Sequence, residues 1–162
     1  MRSFSRLLAL GAVTVTTTLA GSTAAIADDT PPTGVEDFEY PQAAKIAEER
    51  GIKLKRGDGH VTLVPCDSRP GLIEITARGM TERDKVGKGR FCFRVTGKSG
   101  YLSLELPSVY LAKGNDYNVD LNMQTDNTDK TFKLEKNNWT PVGETADTDR
   151  RQFTLLEIIA KK

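Results

Sequence analysis

Histidine and cysteine are scarce in this chain, and their scarcity excludes several kinds of active site. The 162 residues include one histidine and two cysteines. A zinc enzyme usually needs several His or Cys ligands, so we expect no zinc site. The sequence also lacks the Gly-x-Ser-x-Gly motif of α/β-hydrolases. Because it contains no catalytic constellation and no cofactor-binding motif, we expect no metal and no cofactor.

The chain has no excess of one charge and no long apolar run after its first 27 residues. It carries 23 basic and 22 acidic side chains. This balance argues against nucleic acid as a partner, because phosphate binding needs a basic excess. After residue 27 no apolar run approaches the ~20 residues that a membrane-spanning helix needs. We therefore expect neither nucleic-acid binding nor a membrane span.

The first 27 residues have the pattern of a secretory signal peptide. Arg2 and Arg6 provide a positive start, and Leu7–Ala20 is apolar or neutral throughout. Ala25-Ile26-Ala27 then places small residues at the two positions that a signal peptidase reads. The sequence predicts cleavage after Ala27 and a protein that is secreted to the extracellular space. Cleavage would remove two basic side chains and no acidic one, leaving a net charge of −1.

The rest of the chain is predicted to form one domain. Residues 28–34 are polar and contain two prolines, and we expect a disordered stalk there. Residues 35–162 have the length of a single domain. One helix is expected from Pro41, which suits a first helical position, to Gly51, which suits the left-handed residue after a helix. Phe38 is expected to help dock this helix.

After Gly51 the pattern is that of short β-strands. Alternating apolar residues and turn signals predict seven to nine strands in an antiparallel sandwich or barrel with one N-terminal helix. The first two strands are expected to form a hairpin around Gly57-Asp58-Gly59. The last, Phe153–Ala160, is apolar on both faces, which predicts a central, fully covered strand. The segments are Ile52–Leu54, Val61–Leu63, Leu72–Ala77, Phe91–Val95, Leu102–Leu106, Val109–Ala112, Tyr117–Met123, Phe132–Leu134 and Phe153–Ala160.

Cys66 and Cys92 are the two cysteines, and the predicted compartment is oxidising. An even number of cysteines in a secreted chain favours one structural disulfide. A reactive thiol pair and a pair of metal ligands are the alternatives. Neither has the Cys-x-x-Cys spacing that those roles usually show.

Four residues are candidates for a binding site, each with a structural alternative. His60 next to Asp58 in a glycine-rich turn could serve as a ligand-binding group or a general base, or could simply hold a hairpin. Tyr101 and Trp139 could stack on sugar rings or anchor a protein. The alternative for Trp139, which follows Asn138 in a predicted loop, is that it plugs one end of the sandwich. The Asp-rich segments match no EF-hand loop, so calcium is not expected.

Four segments together resemble a group of small secreted proteins from Streptomyces and related actinobacteria. In order, they are Val35–Pro41, Gly57–His60, Phe91–Gly97 and Thr140–Glu144. The resemblance spans roughly residues 35 to 160. It implies a secreted protein from a group with no assigned biochemical activity. It also implies that Cys66 and Cys92 are paired.

The leading functional hypothesis is a secreted, monomeric, non-enzymatic domain that binds an extracellular protein or a cell-wall glycan. A secreted protease inhibitor is the alternative, with Arg69 in the loop Pro65–Pro70 as the specificity residue, or with Met80–Lys88 as the inhibitory loop. Pro70 directly after Arg69 speaks against a substrate-like fit there. A small hydrolase using paired carboxylates is the third hypothesis, although abundant acidic residues alone do not identify such a pair.

Overall fold

The structure is a computed structural model that describes residues 38–126 and 128–162. The predicted signal peptide (1–27) and stalk (28–34) lie outside the described residues. The described chain is mainly β, with two antiparallel sheets of six and five strands. Within this part of the chain, no helix is long and apolar enough to cross a membrane.

The elements follow one another in a simple order, with the single α-helix near the start of the described chain. They are β1 (Phe38–Glu39), α1 (Ala43–Arg50), β2 (Lys53–Gly57), β3 (Val61–Val64), β4 (Ile73–Ala77), β5 (Arg90–Val95), β6 (Ser99–Leu106), β7 (Val109–Lys113), β8 (Asn118–Thr125), β9 (Thr128–Leu134), β10 (Trp139–Pro141), a 3₁₀ turn (Gly143–Thr145) and β11 (Thr154–Lys161). The six-stranded sheet has the order β1-β2-β6-β11-β8-β9, and the five-stranded sheet has the order β10-β7-β4-β5-β3.

The predicted fold class is confirmed, and the architecture is the sandwich. Neither sheet closes into a barrel within the described residues. All nine predicted strand segments form strands. The two additional strands, β1 and β10, have two and three residues. Segments this short cannot display a period-two alternation, so the sequence pattern could not reveal them.

The core lies between the two sheets and is built by alternate residues of their strands. On β6 and β8 every second side chain is buried, which leaves the residues between them on the outer face. Burial of such apolar side chains is the main stabilising contribution in a domain of this size. The buried positions on these strands and their counterparts in the other sheet include Leu102, Leu104, Leu106, Val119, Leu121, Met123, Ile73, Ile75, Phe91 and Phe93.

Strand β11 is central, as predicted, but the expectation that both its faces are covered is wrong. It lies between β6 and β8, and its register against both shifts between Leu155 and Glu157. Leu155 and Ile158 are buried, whereas Leu156 and Glu157 between them are only half-buried. A local irregularity of this kind lets two consecutive side chains lie on one face. The outer face of the six-stranded sheet is therefore open along its centre.

The predicted hairpin of β2 and β3 is also wrong, because the two strands belong to different sheets. β2 pairs with β1 and β6, whereas β3 pairs only with β5. The segment between them crosses from one sheet to the other. Asp58 accepts the backbone N–H of His60, just before β3, and that of Tyr101 in β6. The apolar alternation and the turn residues alone do not distinguish this arrangement from a hairpin.

The helix is shorter than predicted at its start and ends as predicted. It begins at Ala43, two residues after Pro41. Gly51 adopts a left-handed conformation with φ of 65°, and its N–H donates to the carbonyl of Ala47 at 3.0 Å. Phe38 is 63% exposed, so it is not the buried anchor of the helix that the sequence suggested. Tyr40 and Ile46 pack against the core instead.

The disulfide between Cys66 and Cys92 is present. It joins the segment after β3 to β5, so it crosslinks two neighbouring parts of the five-stranded sheet. Cys92 is fully buried, whereas Cys66 is half-exposed. Among the described residues no cysteine is free.

Candidate functional site

Three of the four candidate binding residues lie together, and the fourth lies on the other sheet. Asp58, His60 and Tyr101 meet at the end of the six-stranded sheet where the chain crosses from β2 to β3. Trp139 is on β10, the edge strand of the five-stranded sheet. The two aromatic candidates therefore cannot contribute to one site on a single sheet face.

Asp58 has a structural role at the crossing. Its Oδ1 accepts the N–H of His60 at 2.9 Å, which is the local turn that aspartate commonly forms. Its Oδ2 accepts the N–H of Tyr101 at 2.9 Å. Both carboxylate oxygens are thus used to hold backbone, and they fix where β6 starts relative to the crossing.

His60 is positioned by a backbone carbonyl, and its side chain is 53% exposed. Its Nδ1 lies 3.0 Å from the carbonyl oxygen of Ser99. A carbonyl can only accept, so Nδ1 carries the proton in this contact. Within the described residues, no hydroxyl or thiol group is hydrogen-bonded to the ring, so the geometry gives His60 no nucleophile to activate.

Tyr101 begins a row of hydrogen-bonded side chains that crosses four strands on the outer face of the six-stranded sheet. Its hydroxyl donates to Glu157 Oε1 at 3.0 Å. Asn122 Nδ2 donates to Glu157 Oε2 at 2.7 Å, and Thr131 Oγ1 donates to Asn122 Oδ1 at 2.7 Å. These contacts join β6, β11, β8 and β9 in that order. We call Tyr101, Glu157, Asn122 and Thr131 the polar row.

Glu157, Asn122 and Thr131 of the polar row form part of the wall of an open groove of about 500 Å³ on this face. Lys55, Ser103, Gln124, Asp129, Lys130 and Leu156 are among the other residues that line it. A second groove of about 360 Å³ has Tyr101 and Ile159 in its lining. Tyr101 lines only this second, more apolar groove. Its hydrogen bond to Glu157 connects it to the wall of the first groove, which we call the polar groove.

On the β2 side of this face, charged side chains form ion pairs with one another. Glu105 lies 2.7 Å from the Nζ of Lys55 and 3.1 Å from that of Lys53. Hydrogen bonds from Lys55 and then Lys53 lower the pKa of the Glu105 carboxyl below its usual range. These lysines are thus partly neutralised, and the face has no strong charge of one sign.

Sequence reasoning identified Tyr101 but missed Glu157, Asn122 and Thr131. Glu157 and Asn122 each sit at a polar position between apolar neighbours, which is visible in the alternation, whereas Thr131 lies between Lys130 and Phe132. Their meeting depends on the order of the strands and on the register shift in β11. Neither property can be read from one sequence.

Trp139 lies in a strand, not in the predicted loop, and 41% of it is exposed. In the pairing of β10 with β7, Trp139 lies directly opposite Lys113, whose Nζ is 5.8 Å from the centre of the indole ring. Lys113 also lies 3.6 Å from Glu74, which pairs with Arg90 at 3.1 Å. The ring thus belongs to a charged outer surface and does not plug the end of the sandwich.

Two of the Asp-rich segments, those around Asn115 and Asp147, are held by contacts within the protein. Asp147 receives hydrogen bonds from the side chain and backbone of Arg151, which hold its pKa well below the usual range. Asn115 accepts the N–H of Tyr117 at 3.0 Å. In the described ranges, no three His, Cys, Asp or Glu side chains are grouped to hold a metal ion.

The two loops considered for protease inhibition differ in form. Arg69 is exposed in the segment next to the disulfide. The segment Met80–Lys88 is folded around Asp84, which is fully buried and pairs with Arg50. Met80 is also buried. The Arg69 loop presents its candidate residue to solvent, and the Met80–Lys88 loop presents exposed residues such as Val86 around its buried Asp84.

Comparison with protein-family models finds no match for this chain. Comparison with curated proteins also finds none. The function therefore has to be inferred from the geometry of the two outer sheet faces.

Proposed function

We propose that this protein is a secreted, non-enzymatic binding domain whose outer six-stranded face holds a cell-wall polysaccharide. The predicted signal peptide supports export, and the disulfide is compatible with an oxidising compartment. The single observation that carries the choice of ligand is the polar row along the open groove.

The side chains of the polar row are pre-organised to bind hydroxyl groups in the absence of a ligand. Its members hold one another in place, so little side-chain freedom is lost on binding. Each retains bonding capacity: the Glu157 carboxylate can accept further hydrogen bonds, and Asn122 has a second amide hydrogen. Each hydroxyl group of a sugar ring can both donate and accept a hydrogen bond, which suits this mixture of donors and acceptors.

Tyr101 supplies the apolar part of the recognition. Its side chain is half-buried, lines the groove that Ile159 also lines, and is hydrogen-bonded to Glu157 in the wall of the polar groove. Flat aromatic rings pack well against the C–H face of a sugar. The hydrogen bond to Glu157 fixes the orientation of the tyrosine for that contact.

The test is retention of the purified protein on washed insoluble wall material, namely peptidoglycan and wall polysaccharide. Asn122→Ala removes the centre of the polar row, and we expect about a tenfold weaker binding from the loss of hydrogen bonds worth roughly 1–3 kcal/mol. Glu157→Gln tests the same site with almost unchanged shape. Thr76→Ala, on the outer face of the other sheet, is the matched control and should bind normally.

The outcome that overturns the proposal is equally specific. Retention that survives Asn122→Ala and Glu157→Gln but disappears in Trp139→Ala would move the site to the five-stranded sheet. Absence of retention on every wall fraction would rule out the polysaccharide as the ligand.

The exposure of Arg69 supports a protease inhibitor as the second candidate. Titration of trypsin-like and subtilisin-like proteases with the protein tests it directly. Stoichiometric inhibition that Arg69→Ala abolishes would favour the inhibitor, whereas unchanged protease activity would reject it.

A further inference from the structure

The four outer edges of the two sheets are not protected equally. On β10, Pro141 has no N–H to offer, and the N–H of Trp139 donates to its neighbour Asn138 Oδ1 at 2.9 Å. On β3, the N–H of Leu63 donates to the hydroxyl of Tyr40 at 2.8 Å. β1, at the start of the described residues, has two residues there. Capped, proline-containing and very short edges are the usual ways of preventing strand addition.

Strand β9 has none of these three protections, and its edge carries charged side chains instead. It has seven residues, and β8 is its one partner among the described strands. Among the described residues, no side chain forms a hydrogen bond with a backbone N–H of this strand. Its free edge therefore offers the longest row of backbone groups to a further strand.

We propose that β9 pairs antiparallel with β9 of a second copy of this chain, about a twofold axis through Thr131. The proposal does not depend on the ligand of the polar row. In an antiparallel sheet, residues directly opposite each other point to the same face. With Thr131 opposite its own copy, Asp129 stands opposite Lys133 of the second chain, and Lys133 opposite its Asp129.

The charge pattern selects this register over its neighbours. A pairing centred on Lys130 would set two lysines directly opposite each other, and like charges in such positions destabilise a sheet. A pairing centred on Phe132 would set Asp129 against Glu135, again like charges. Of these three registers, the one centred on Thr131 alone creates two opposite-charge pairs on the outer face.

The other face of the strand is consistent with the same register. Lys130 lies with its Nζ 4.9 Å from the centre of the Phe132 ring in the same chain. In the paired strands Lys130 stands opposite Phe132 of the second copy. Each Phe132 ring then stands opposite a lysine of the other chain, which can place its cation against the ring.

Such a dimer would join the two six-stranded sheets into one, with the outer faces of both copies on the same side. The two polar rows would then be neighbours at the junction, since Thr131 belongs to the row and lies at the axis. On a polymer such as a wall polysaccharide, two linked sites bind more tightly than either alone. This consequence, unlike the dimer itself, rests on the proposed function.

The experiment is sedimentation equilibrium of the purified protein from micromolar to millimolar concentration. We expect a weak, concentration-dependent dimer, because pairing through one edge buries little surface. Asp129→Lys and Lys133→Asp each replace attraction by repulsion in both pairs, which should weaken self-association about tenfold. The matched controls Glu82→Lys and Lys85→Asp, exposed residues away from β9, should leave it unchanged.

An equimolar mixture of the two charge variants separates strand pairing from general charge effects. In the mixed pair both sets of facing positions again carry opposite charges, so the heterodimer should recover the affinity of the original protein. A protein that stays monomeric at millimolar concentration overturns the proposal. The proposal is also overturned if neither substitution changes the dimer affinity, or if mixing the two variants does not restore it.

Discussion

Asp58 accepts the backbone N–H of Tyr101 at 2.9 Å across the point where the chain passes from one sheet to the other. Its other oxygen accepts the N–H of His60. The position of Tyr101, and with it the start of the polar row, therefore depends on a carboxylate that is 43 residues earlier in the chain.

Replacing Asp58 by alanine should lower the stability of the domain. The two backbone N–H groups lose their partner, and we expect a decrease of roughly 1–3 kcal/mol in the free energy of unfolding. Asp58→Asn keeps one acceptor oxygen and should lose less. Urea unfolding followed by circular dichroism measures both values, and equal losses for the two variants would contradict the role assigned to the carboxylate.

Gly51 and Gly59 allow the conformational cost of a left-handed residue to be separated from the cost of a steric clash. Both have positive φ, 65° and 77°. A Cβ on Gly51 would lie 2.7 Å from the Cβ of Arg83, whereas one on Gly59 would meet nothing within 4 Å. Gly59→Ala should therefore cost about 1 kcal/mol from conformation alone, and Gly51→Ala distinctly more. Thermal unfolding of the two variants checks the order.

Removal of Asp84 should be among the most destabilising single changes. The carboxylate is fully buried, pairs with Arg50, and accepts the N–H groups of Gly87 and Gly89 at 2.9 Å each. Asp84→Ala leaves the guanidinium buried without its partner, which typically costs about 3–5 kcal/mol. The exposed neighbour Glu82 is the control, since Glu82→Ala should change stability by less than about 0.5 kcal/mol. Equal effects would contradict the structural role of Asp84.

The same contacts predict a loss of stability in acid. Burial alone would raise the pKa of Asp84, but the hydrogen bonds from Arg50, Gly87 and Gly89 outweigh it and lower the pKa. A carboxyl with a lowered folded-state pKa stabilises the fold above its unfolded pKa of about 4, and this contribution is lost as the pH falls. The free energy of unfolding should thus decline below about pH 4, and Asp84→Asn should decline less steeply.

The disulfide should contribute a large share of the stability. Its cysteines are 26 positions apart, so reduction frees a loop of about this length in the unfolded chain. The chain-entropy estimate is about 3.5 kcal/mol. Unfolding with and without reductant measures the difference, and a double Cys66→Ala, Cys92→Ala variant is the control for reductant effects. A difference near zero would contradict a structural role.

Much of this fold could be predicted from the alternation of apolar and polar residues and from the residues that end helices and form turns. Leu102, Leu104 and Leu106 alternate with polar residues, and all three are buried as the pattern requires. Gly51 ends the helix by the mechanism that its position suggests. These are local properties, for which a residue and its near neighbours suffice.

What could not be predicted depends on contacts between distant segments. The order of the strands decides that β2 and β3 separate and that Glu157 meets both Tyr101 and Asn122. The register shift in β11 decides that Leu156 and Glu157 share a face. The apolar character of Phe38 favours docking against the helix, yet single exposed apolar side chains are common on protein surfaces.

The polar row can be tested most directly by recording amide NMR spectra while soluble oligosaccharide fragments of the wall polymer are added. We expect shifts at the side-chain amide of Asn122 and the backbone amides of Tyr101 and Glu157, with the indole N–H of Trp139 unchanged. Shifts confined to Trp139 and its neighbours on the five-stranded sheet, or none at saturating oligosaccharide, would contradict a polysaccharide site at the polar row.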